Sequence, residues 1–289
     1  MMAVTVPCLE CSQPMREDME RCPHCWRPGL YPGVSAARRP EEQAALQQRY
    51  EQAFVKARGH GMEAHLREYE AAVARSDAVI GMSFATLQRF AWSEEEMYRP
   101  YYGEVAAGAR VPGGDTWDRL RAAADALVLG QQNRHRVCCA ALTIKKRALA
   151  NDGECSLLLR EEMIAHRASV FEENTVLFMH RHNLPAGAPV PAGCRAVWAD
   201  RALLAVAKTG GSPTRLGNKD YAGLLQHPAG DARQNHLIEV HIHGPLTLRA
   251  VRAVVIRAWQ GDAPPAAHVR LLTEKLAQFN IPLTLPATP

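Results

Sequence analysis

Residues 237–246 read LIEVHIHGPL, and their apolar and polar side chains alternate with a period of two. This period predicts a β-strand over residues 237–243, because successive side chains of a strand point to opposite faces. One face carries three polar side chains, Glu239, His241 and His243. The other face carries isoleucine and valine, which is typical of a side that packs on a core. The polar face is interpreted as the wall of a cleft or, with equal weight, as a face in contact with solvent.

Further strands and short helices are predicted around this stretch. From Asn151-Asp152-Gly153 onward, β-like runs are separated by clusters of glycine and proline. The predicted strands cover residues 155–160, 175–179 and 251–256. The predicted helices lie near 200–208, near 219–226 and around 269–279. This mixture predicts an α+β domain over residues 151–289, which is expected to carry the chemistry.

The preceding residues, 36–150, are predicted to form a helical domain. Apolar side chains recur at helical spacing within 46–57, 62–73 and 117–128. A further helix is predicted over residues 131–149, after a break at Gly130. The polar faces of these helices mix charges without a converging cluster, so no catalytic group is expected here.

Residues 1–35 contain two CxxC pairs, which predict a zinc ribbon. The four cysteines are Cys8, Cys11, Cys22 and Cys25, and ten residues separate the two pairs. Each pair places two thiolates on one tight turn, and the two turns together complete a tetrahedral Zn–S₄ site. Four sulfur ligands leave no open position, so the predicted role of the zinc is structural. Iron, and a redox dithiol, are the weaker alternatives.

The composition is that of a soluble globular protein of 289 residues, with 47% hydrophobic and 22% charged residues. It excludes a wholly disordered chain. The formal net charge of +4 permits a nucleotide or nucleic-acid partner without requiring one. The N-terminal residues lack the charged region of a signal peptide, and no apolar run reaches the length of a membrane span. A cytoplasmic, reducing location is therefore expected, with no membrane partner.

Three motifs suggest a family. They are GECSLLLR at 153–160, MIAHRASVFEENT at 163–175 and EVHIHGPL at 239–246. Together they resemble the C-terminal catalytic domains of bacterial polymorphic toxins and related proteins, which are similar to ADP-ribosyltransferases. The resemblance extends from Gly153 to Arg257 and implies a largely antiparallel sheet. It also implies that NAD is the substrate.

The resemblance further implies roles for individual residues. An early arginine, here Arg160 or Arg167, would bind NAD, and a late glutamate, here Glu239, would be catalytic together with His241. The family's Ser-Thr-Ser triplet is absent, and Ser212-Pro213-Thr214 and Ser169 are its nearest substitutes. Chemically, a carboxylate stabilises the positive charge that builds on the ribose when the bond to nicotinamide breaks. A guanidinium suits the pyrophosphate.

The expected function is therefore that of a bacterial toxin or effector that modifies a macromolecule with ADP-ribose or hydrolyses NAD. Its expected partners are a protein or nucleic-acid target and an immunity protein, and delivery as an effector is compatible with this function. Two alternatives stay open. One is a metal-dependent nuclease built from His180, His182, His241 and His243. The other is a non-enzymatic adaptor that binds partners beside its zinc ribbon.

Overall fold

A computed structural model describes residues 5–286 except 9–10, 17–18, 20, 28, 30, 93–104, 106–110, 112–113, 115, 131–132, 186, 232–233 and 260–262. The described chain is an α+β protein built around one large sheet. None of the helices in these ranges combines the length and the apolar character that crossing a bilayer requires.

Eight strands form the large sheet, and they come from both sides of residue 150. Their order across the sheet is β12-β11-β5-β3-β4-β10-β6-β7. Every neighbouring pair is antiparallel except β11 and β12, which are parallel. The bounds are β3 Asp77–Met82, β4 Val137–Thr143, β5 Cys155–Leu159, β6 Ala168–Phe171, β7 Arg195–Val197, β10 Glu239–His243, β11 Val251–Ile256 and β12 Leu283–Thr284.

Two smaller strand pairs accompany the large sheet. In the N-terminal segment, β1 (Thr5–Pro7) pairs with β2 (Pro14–Arg16). Before β10, β8 (Gln226–His227) pairs with β9 (His236–Leu237). The strand predicted over 237–243 is thus divided in two, and its main part is β10.

The prediction of a helix over residues 131–149 is wrong. Residues 137–143 form β4, which lies between β3 and β10 in the middle of the sheet. Six of its seven residues are buried, so the strand is apolar on both faces and shows no alternation. The boundary predicted at residue 150 therefore falls between two strands of one sheet, and the segment 36–150 contributes β3 and β4 to it.

The prediction of a strand over residues 175–179 is also wrong, because these residues belong to a helix. The helix begins at Thr175 and ends at Arg181. The side chain of Asn174 accepts hydrogen bonds from the backbone amides of Val176 and Leu177, at 3.0 and 3.4 Å. This N-cap satisfies amides that have no partner within the helix.

The other predicted helices overlap described helices, with ends that differ by up to six residues, and the strands predicted over 155–160 and 251–256 agree with β5 and β11 within one residue. In chain order the helices are α1 Pro32–Ala37, α2 Pro40–Gly59, α3 Glu63–Ala74, α4 Phe84–Trp92, α5 Thr116–Leu129, α6 Glu161–Ile164, α7 Thr175–Arg181, α8 Arg201–Thr209, α9 Pro213–Leu216, α10 Tyr221–Leu225 and α11 Ala266–Ala277. Glycine in the left-handed region follows α5 and α8, at Gly130 and Gly210.

Helices cover both faces of the sheet. On one face, Val240 and Ile242 of β10 belong to the main core, together with residues of α3 and α8 such as Leu66 and Leu204. On the other face, Phe171 of β6 packs with residues of α5 and α7. Strand β10 is thus buried on both sides, and its polar residues face the second, smaller core.

Candidate functional site

The polar face of β10 lies inside the protein. Glu239, His241 and His243 are 3%, 5% and 4% exposed. The interpretation of this face as one in contact with solvent is therefore wrong. Three charged or polar side chains on one buried strand need partners, because an unpaired charge in the interior is very unfavourable.

Glu239 and His241 are partners of each other. The Oε2 atom of Glu239 lies 2.9 Å from Nε2 of His241. The ring of Phe171 stacks on the imidazole, with the ring centres 5.7 Å apart, and so limits its orientation. Across the strand pair, His241 faces Ser169 of β6, which places two of the predicted site residues side by side.

Helix α5 covers Glu239 with a guanidinium. Nη2 of Arg121 lies 3.7 Å from Oε1 of Glu239, and Nε of Arg121 donates to Oδ2 of Asp125 at 2.8 Å. Oδ1 of Asp125 accepts a hydrogen bond of 2.7 Å from the hydroxyl of Thr175. Burial lowers the pKa of Arg121, but Asp125 and Glu239 outweigh that effect, so its pKa stands well above the ordinary value. Arg121 is therefore a permanent cation beside the carboxylate.

Cys139 of β4 completes this arrangement. It is the cross-strand neighbour of His241, and Nη2 of Arg121 lies 3.7 Å from its sulfur. Ligand atoms of Cys139, Glu239 and His241 all lie within 4.8 Å of one another. Burial and the charge of Glu239 raise the pKa of the Cys139 thiol well above its ordinary value, so the thiol is neutral and is not an activated nucleophile. We call Arg121, Asp125, Cys139, Glu239 and His241 the Glu239 cluster.

A crevice lies beside the Glu239 cluster, where α1 and the end of α5 meet the sheet. Its walls combine histidine, arginine, a serine and an aromatic ring with apolar side chains. The lining residues are Pro32, Gly33, Val128, Leu129, Asn133, Val137, Arg167, Ser169, Phe171, Arg195, His241 and His243. Three predicted site residues, Arg167, Ser169 and His241, therefore line one crevice, whereas Glu239 lies behind His241.

Arg167 holds the end of β10 in place. Its Nη1 atom donates to the backbone oxygens of His243 and Pro245, both at 2.8 Å, and its Nε donates to that of Met163 at 3.0 Å. Burial lowers its pKa. Nη1 therefore serves the backbone at the end of β10, Nε serves that of α6, and the contribution of Arg167 to the crevice is mainly its charge.

The structure does not bring Arg160 to this site. Arg160 follows β5, which is separated from β10 by β3 and β4. Its Nε atom donates to the backbone oxygen of Val251 at 3.1 Å, and it is absent from the crevice lining given above. Of the two alternative arginines, Arg167 therefore lines the crevice and Arg160 does not, and Arg195 of β7 lines it as well.

The four N-terminal cysteines converge. Sulfur atoms of Cys8 and Cys25 are 3.7 Å apart, and those of Cys11 and Cys22 are 3.6 Å apart. All four sulfurs lie within 4.8 Å of one another, which is compatible with one zinc ion. The connection to α1 carries Tyr31, whose ring lies 5.1 Å from that of His243.

The four histidines of the nuclease interpretation do not form one group. His180 is exposed at the end of α7, whereas His241 and His243 are buried. Within the part of the chain that the structure describes, two sets of three or more ligand atoms fit one metal ion. These are the Cys₄ set and the set of Cys139, Glu239 and His241.

Sequence reasoning missed Arg121, Asp125 and Cys139 as neighbours of Glu239. Arg121 and Asp125 are four residues apart on α5, a spacing that is also common on helix surfaces. The signal that separates the two cases is Asp125 itself, an acidic residue on the same buried helix face as Ala124 and Val128. Neither a protein-family model nor a curated protein matches the sequence. The side chains described above are therefore the basis for assigning a function.

Proposed function

We propose that the protein is an ADP-ribosyltransferase-like enzyme that breaks the nicotinamide–ribose bond of NAD, with Glu239 and His241 as its catalytic residues. ADP-ribose passes to a macromolecule or to water. The observation that carries the proposal is the Glu239–His241 pair on a central strand, beside a crevice with cationic walls. The motifs of residues 153–175 and 239–246 provide its second support.

Glu239 suits the stabilisation of a positive charge. His241 and Arg121 fix its two oxygens from different sides, so the carboxylate is oriented before the substrate arrives. A pre-oriented anion in a site without bulk water stabilises a transition-state cation far better than one in water. Glycosidases use carboxylates in the same way.

The walls of the crevice carry groups that match parts of a dinucleotide, and the crevice has to open before a molecule of that size can enter. Arg167, together with Arg195, which lies 3.9 Å from the Glu42 carboxylate, supplies positive charge for a pyrophosphate. Phe171 supplies a ring beside His241. The hydroxyl of Ser169 belongs to the same wall, where Gly33 covers it, and it would reach a ribose hydroxyl once the crevice opens. This combination of cations, aromatic ring and hydroxyl is chemically matched to the parts of NAD.

The proposed reaction breaks one bond and forms one. The C–N bond between ribose and nicotinamide breaks, and nicotinamide leaves with the electron pair. Glu239 stabilises the positive charge left on the anomeric carbon. An oxygen or nitrogen of the acceptor then bonds to that carbon and loses its proton, for which the imidazole of His241 is the nearest base. Because α5 covers Glu239, the proposal requires that α5 moves when NAD enters.

The test is NAD turnover by Glu239→Gln. Labelled NAD is incubated with the purified protein, alone and with a cell lysate, and the label is followed to free nicotinamide and to macromolecules. The substitution is expected to slow turnover about a hundredfold, or about 3 kcal/mol, as for other lost electrostatic stabilisers. Glu162→Gln, at an exposed position of α6, is the matched control and is expected to keep full turnover.

Two results would count against the proposal. One is a wild-type protein that consumes no NAD under any of these conditions. The other is a Glu239→Gln protein that turns over NAD like the wild type. Thermal unfolding of each variant shows whether a loss of turnover reflects a loss of fold.

We also propose that the N-terminal Cys₄ group holds a structural zinc ion. The segment before α1 is too short to bury much apolar surface, so metal binding has to supply much of its folding free energy. Metal analysis of the purified chain is expected to find zinc that is lost from a Cys22→Ser variant. Persistence of the full zinc content in this variant would refute the site.

A further inference from the structure

The Glu239 cluster contains a second set of ligands for a transition metal. Its three ligand atoms belong to cysteine, histidine and glutamate, which is a set that zinc prefers and that magnesium and calcium do not. They come from neighbouring positions of two paired strands, since His241 faces Cys139 and Glu239 is two residues before His241. Backbone hydrogen bonds of the sheet therefore hold all three near one point.

We propose that Cys139, Glu239 and His241 form a second metal site, which takes Zn²⁺ with one position left for water. The site goes beyond the proposed NAD chemistry, because its ligand atoms define it without reference to NAD. To reach the ligand spacing of a tetrahedral zinc ion, the widest of the present separations, at most 4.8 Å, has to close by about 1 Å, and the 2.9 Å between Oε2 of Glu239 and Nε2 of His241 has to widen by about 0.5 Å.

The charges of the Glu239 cluster balance when zinc is bound. The carboxylates of Asp125 and Glu239 and the thiolate of Cys139 are negative. Zn²⁺ and the guanidinium of Arg121 together carry three positive charges, which equal the three negative charges. Zinc binding forms a Zn–S bond and releases the thiol proton of Cys139 to solvent, so nothing is oxidised or reduced.

Arg121 faces the other oxygen of the carboxylate and also lies 3.7 Å from the sulfur of Cys139, where its charge favours the thiolate that zinc needs. It lies 3.7 Å from Oε1 of Glu239, while Oε2 faces His241. Glu239 can thus bind zinc through Oε2 and keep its ion pair through Oε1. Groups that hold a ligand from outside in this manner are common around zinc sites and strengthen them. Phe171, stacked on His241, limits the rotation of the second ligand.

The crevice provides an entry path. His241 lines its wall, so an ion that enters meets the imidazole first. Cys139 is intermediate in exposure, whereas Glu239 and His241 are buried. A zinc ion bound at this site would coordinate the carboxylate of Glu239, which the proposed reaction needs. Inhibition of NAD turnover by zinc therefore follows, and this consequence alone rests on the proposed function.

The adjacent cysteines make a matched pair of variants. Cys139→Ala removes a ligand, whereas Cys138→Ala removes the neighbouring thiol, which lies in the main core on the opposite face of β4. The full chain is saturated with zinc, freed of excess metal, and its zinc content is measured. Wild type and Cys138→Ala are expected to hold about two zinc ions and Cys139→Ala about one, since the Cys₄ group is intact in all three.

One zinc ion in the wild type, or two in Cys139→Ala, would overturn the second site. If Cys139→Ala does not fold, His241→Gln serves in its place with the same expected zinc content. Zinc titration of NAD turnover is the second measurement. Zinc is expected to inhibit the wild type and Cys138→Ala at least tenfold more strongly than Cys139→Ala, and equal inhibition would refute the link to Glu239. Absence of NAD turnover in every chain would refute the proposed function, while the zinc content still decides the site.

Discussion

Arg121 lies between two buried carboxylates and forms an ion pair with each. Asp125 and Glu239 have side chains that are 3% and 4% exposed, and Arg121 is the cation that α5 places beside them. Removing one partner of a buried ion pair leaves a charge without compensation, which is far more costly than losing a surface pair. The stability of the site therefore depends on this residue whatever reaction occurs there.

We expect Arg121→Ala to lower the free energy of unfolding by about 2 kcal/mol. The value is below that of a fully buried pair because the side chain of Arg121 is 24% exposed. Urea unfolding followed by circular dichroism measures the effect. Arg119→Ala, at an exposed position of the same helix, is the control and should change stability by less than about 0.5 kcal/mol. Equal stability of Arg121→Ala and wild type would contradict the ion-pair assignment.

Asp152 introduces a dependence of stability on pH. Burial raises its pKa to about 6, although a hydrogen bond from the Asn235 amide to its Oδ1 atom, at 3.0 Å, acts in the opposite direction. A carboxyl group whose pKa is higher in the folded chain binds more protons there than in the unfolded chain. Its favourable contribution is therefore complete below about pH 4 and is lost as the pH rises through about 6.

We expect Asp152→Asn to be more stable than the wild type at pH 7.5 by about 2 kcal/mol, because the amide is neutral at every pH. The new side chain keeps an oxygen for Asn235. The difference in unfolding free energy between the two proteins should be about half as large at pH 5, because it disappears only below about pH 4. A difference that is the same at both pH values would show that burial does not raise the pKa of Asp152.

The alternation in residues 237–246 identified Glu239 and His241 as neighbours on one strand face, and they do form a pair. It did not reveal what covers them, because the covering residues are distant in sequence. Arg121 belongs to α5 and Cys139 to β4, and nothing in the order of residues links either to Glu239. Arg160 shows the converse. Its motif resembles that of the family, but Arg160 follows β5, and two strands, β3 and β4, separate β5 from the strand of Glu239.

At the scale of elements, the spacing of apolar residues predicted correctly those helices and strands that have one polar face. Helices α2, α3 and α5 and strand β11 were predicted for this reason. Strand β4 was missed because both of its faces are buried, and a continuous apolar run does not distinguish a strand from a buried helix. The residues of α7 have a high β propensity, but two features favour the helix. They are the N-cap at Asn174 and the packing of Phe178 on Phe171, with ring centres 4.7 Å apart.

The N-cap of α7 can be tested directly. Asn174→Ala removes the acceptor of two backbone amides and is expected to lower the free energy of unfolding by about 1 kcal/mol. Asn174→Ser keeps an oxygen at the cap and should recover more than half of that loss. Thermal or urea unfolding measures both variants. If serine proves no better than alanine, the capping bond is not what stabilises the start of α7.

At the scale of the whole molecule, the start of α1, which directly follows the segment with the Cys₄ group, forms part of the crevice wall. Tyr31 contacts His243, and Pro32 and Gly33 line the crevice. Gly33 leaves no space for a side chain, since a Cβ atom there would collide with Oγ of Ser169. The proposed structural zinc is therefore coupled to the crevice through one short connection.

We expect Cys22→Ser to loosen this connection as well as to lower the zinc content. Backbone amides around Tyr31 and Gly33 should exchange hydrogen at least tenfold faster than in the wild type, because the metal no longer anchors the preceding segment. Mass spectrometry of exchanged peptides measures this, and peptides of α8 serve as the internal control. Unchanged exchange around Tyr31 would show that the crevice wall is independent of the metal.

The order of strands in the sheet also determines when the chain can fold during synthesis. Strand β4 leaves the ribosome with β3 as its first neighbour, but its other neighbour is β10, which ends at His243. Until most of the chain has been translated, one edge of β4 carries unpaired amides and carbonyls, and such an edge pairs readily with other chains. Nascent chains halted between residues 150 and 230 should therefore associate with chaperones or aggregate, whereas chains released beyond residue 286 should not.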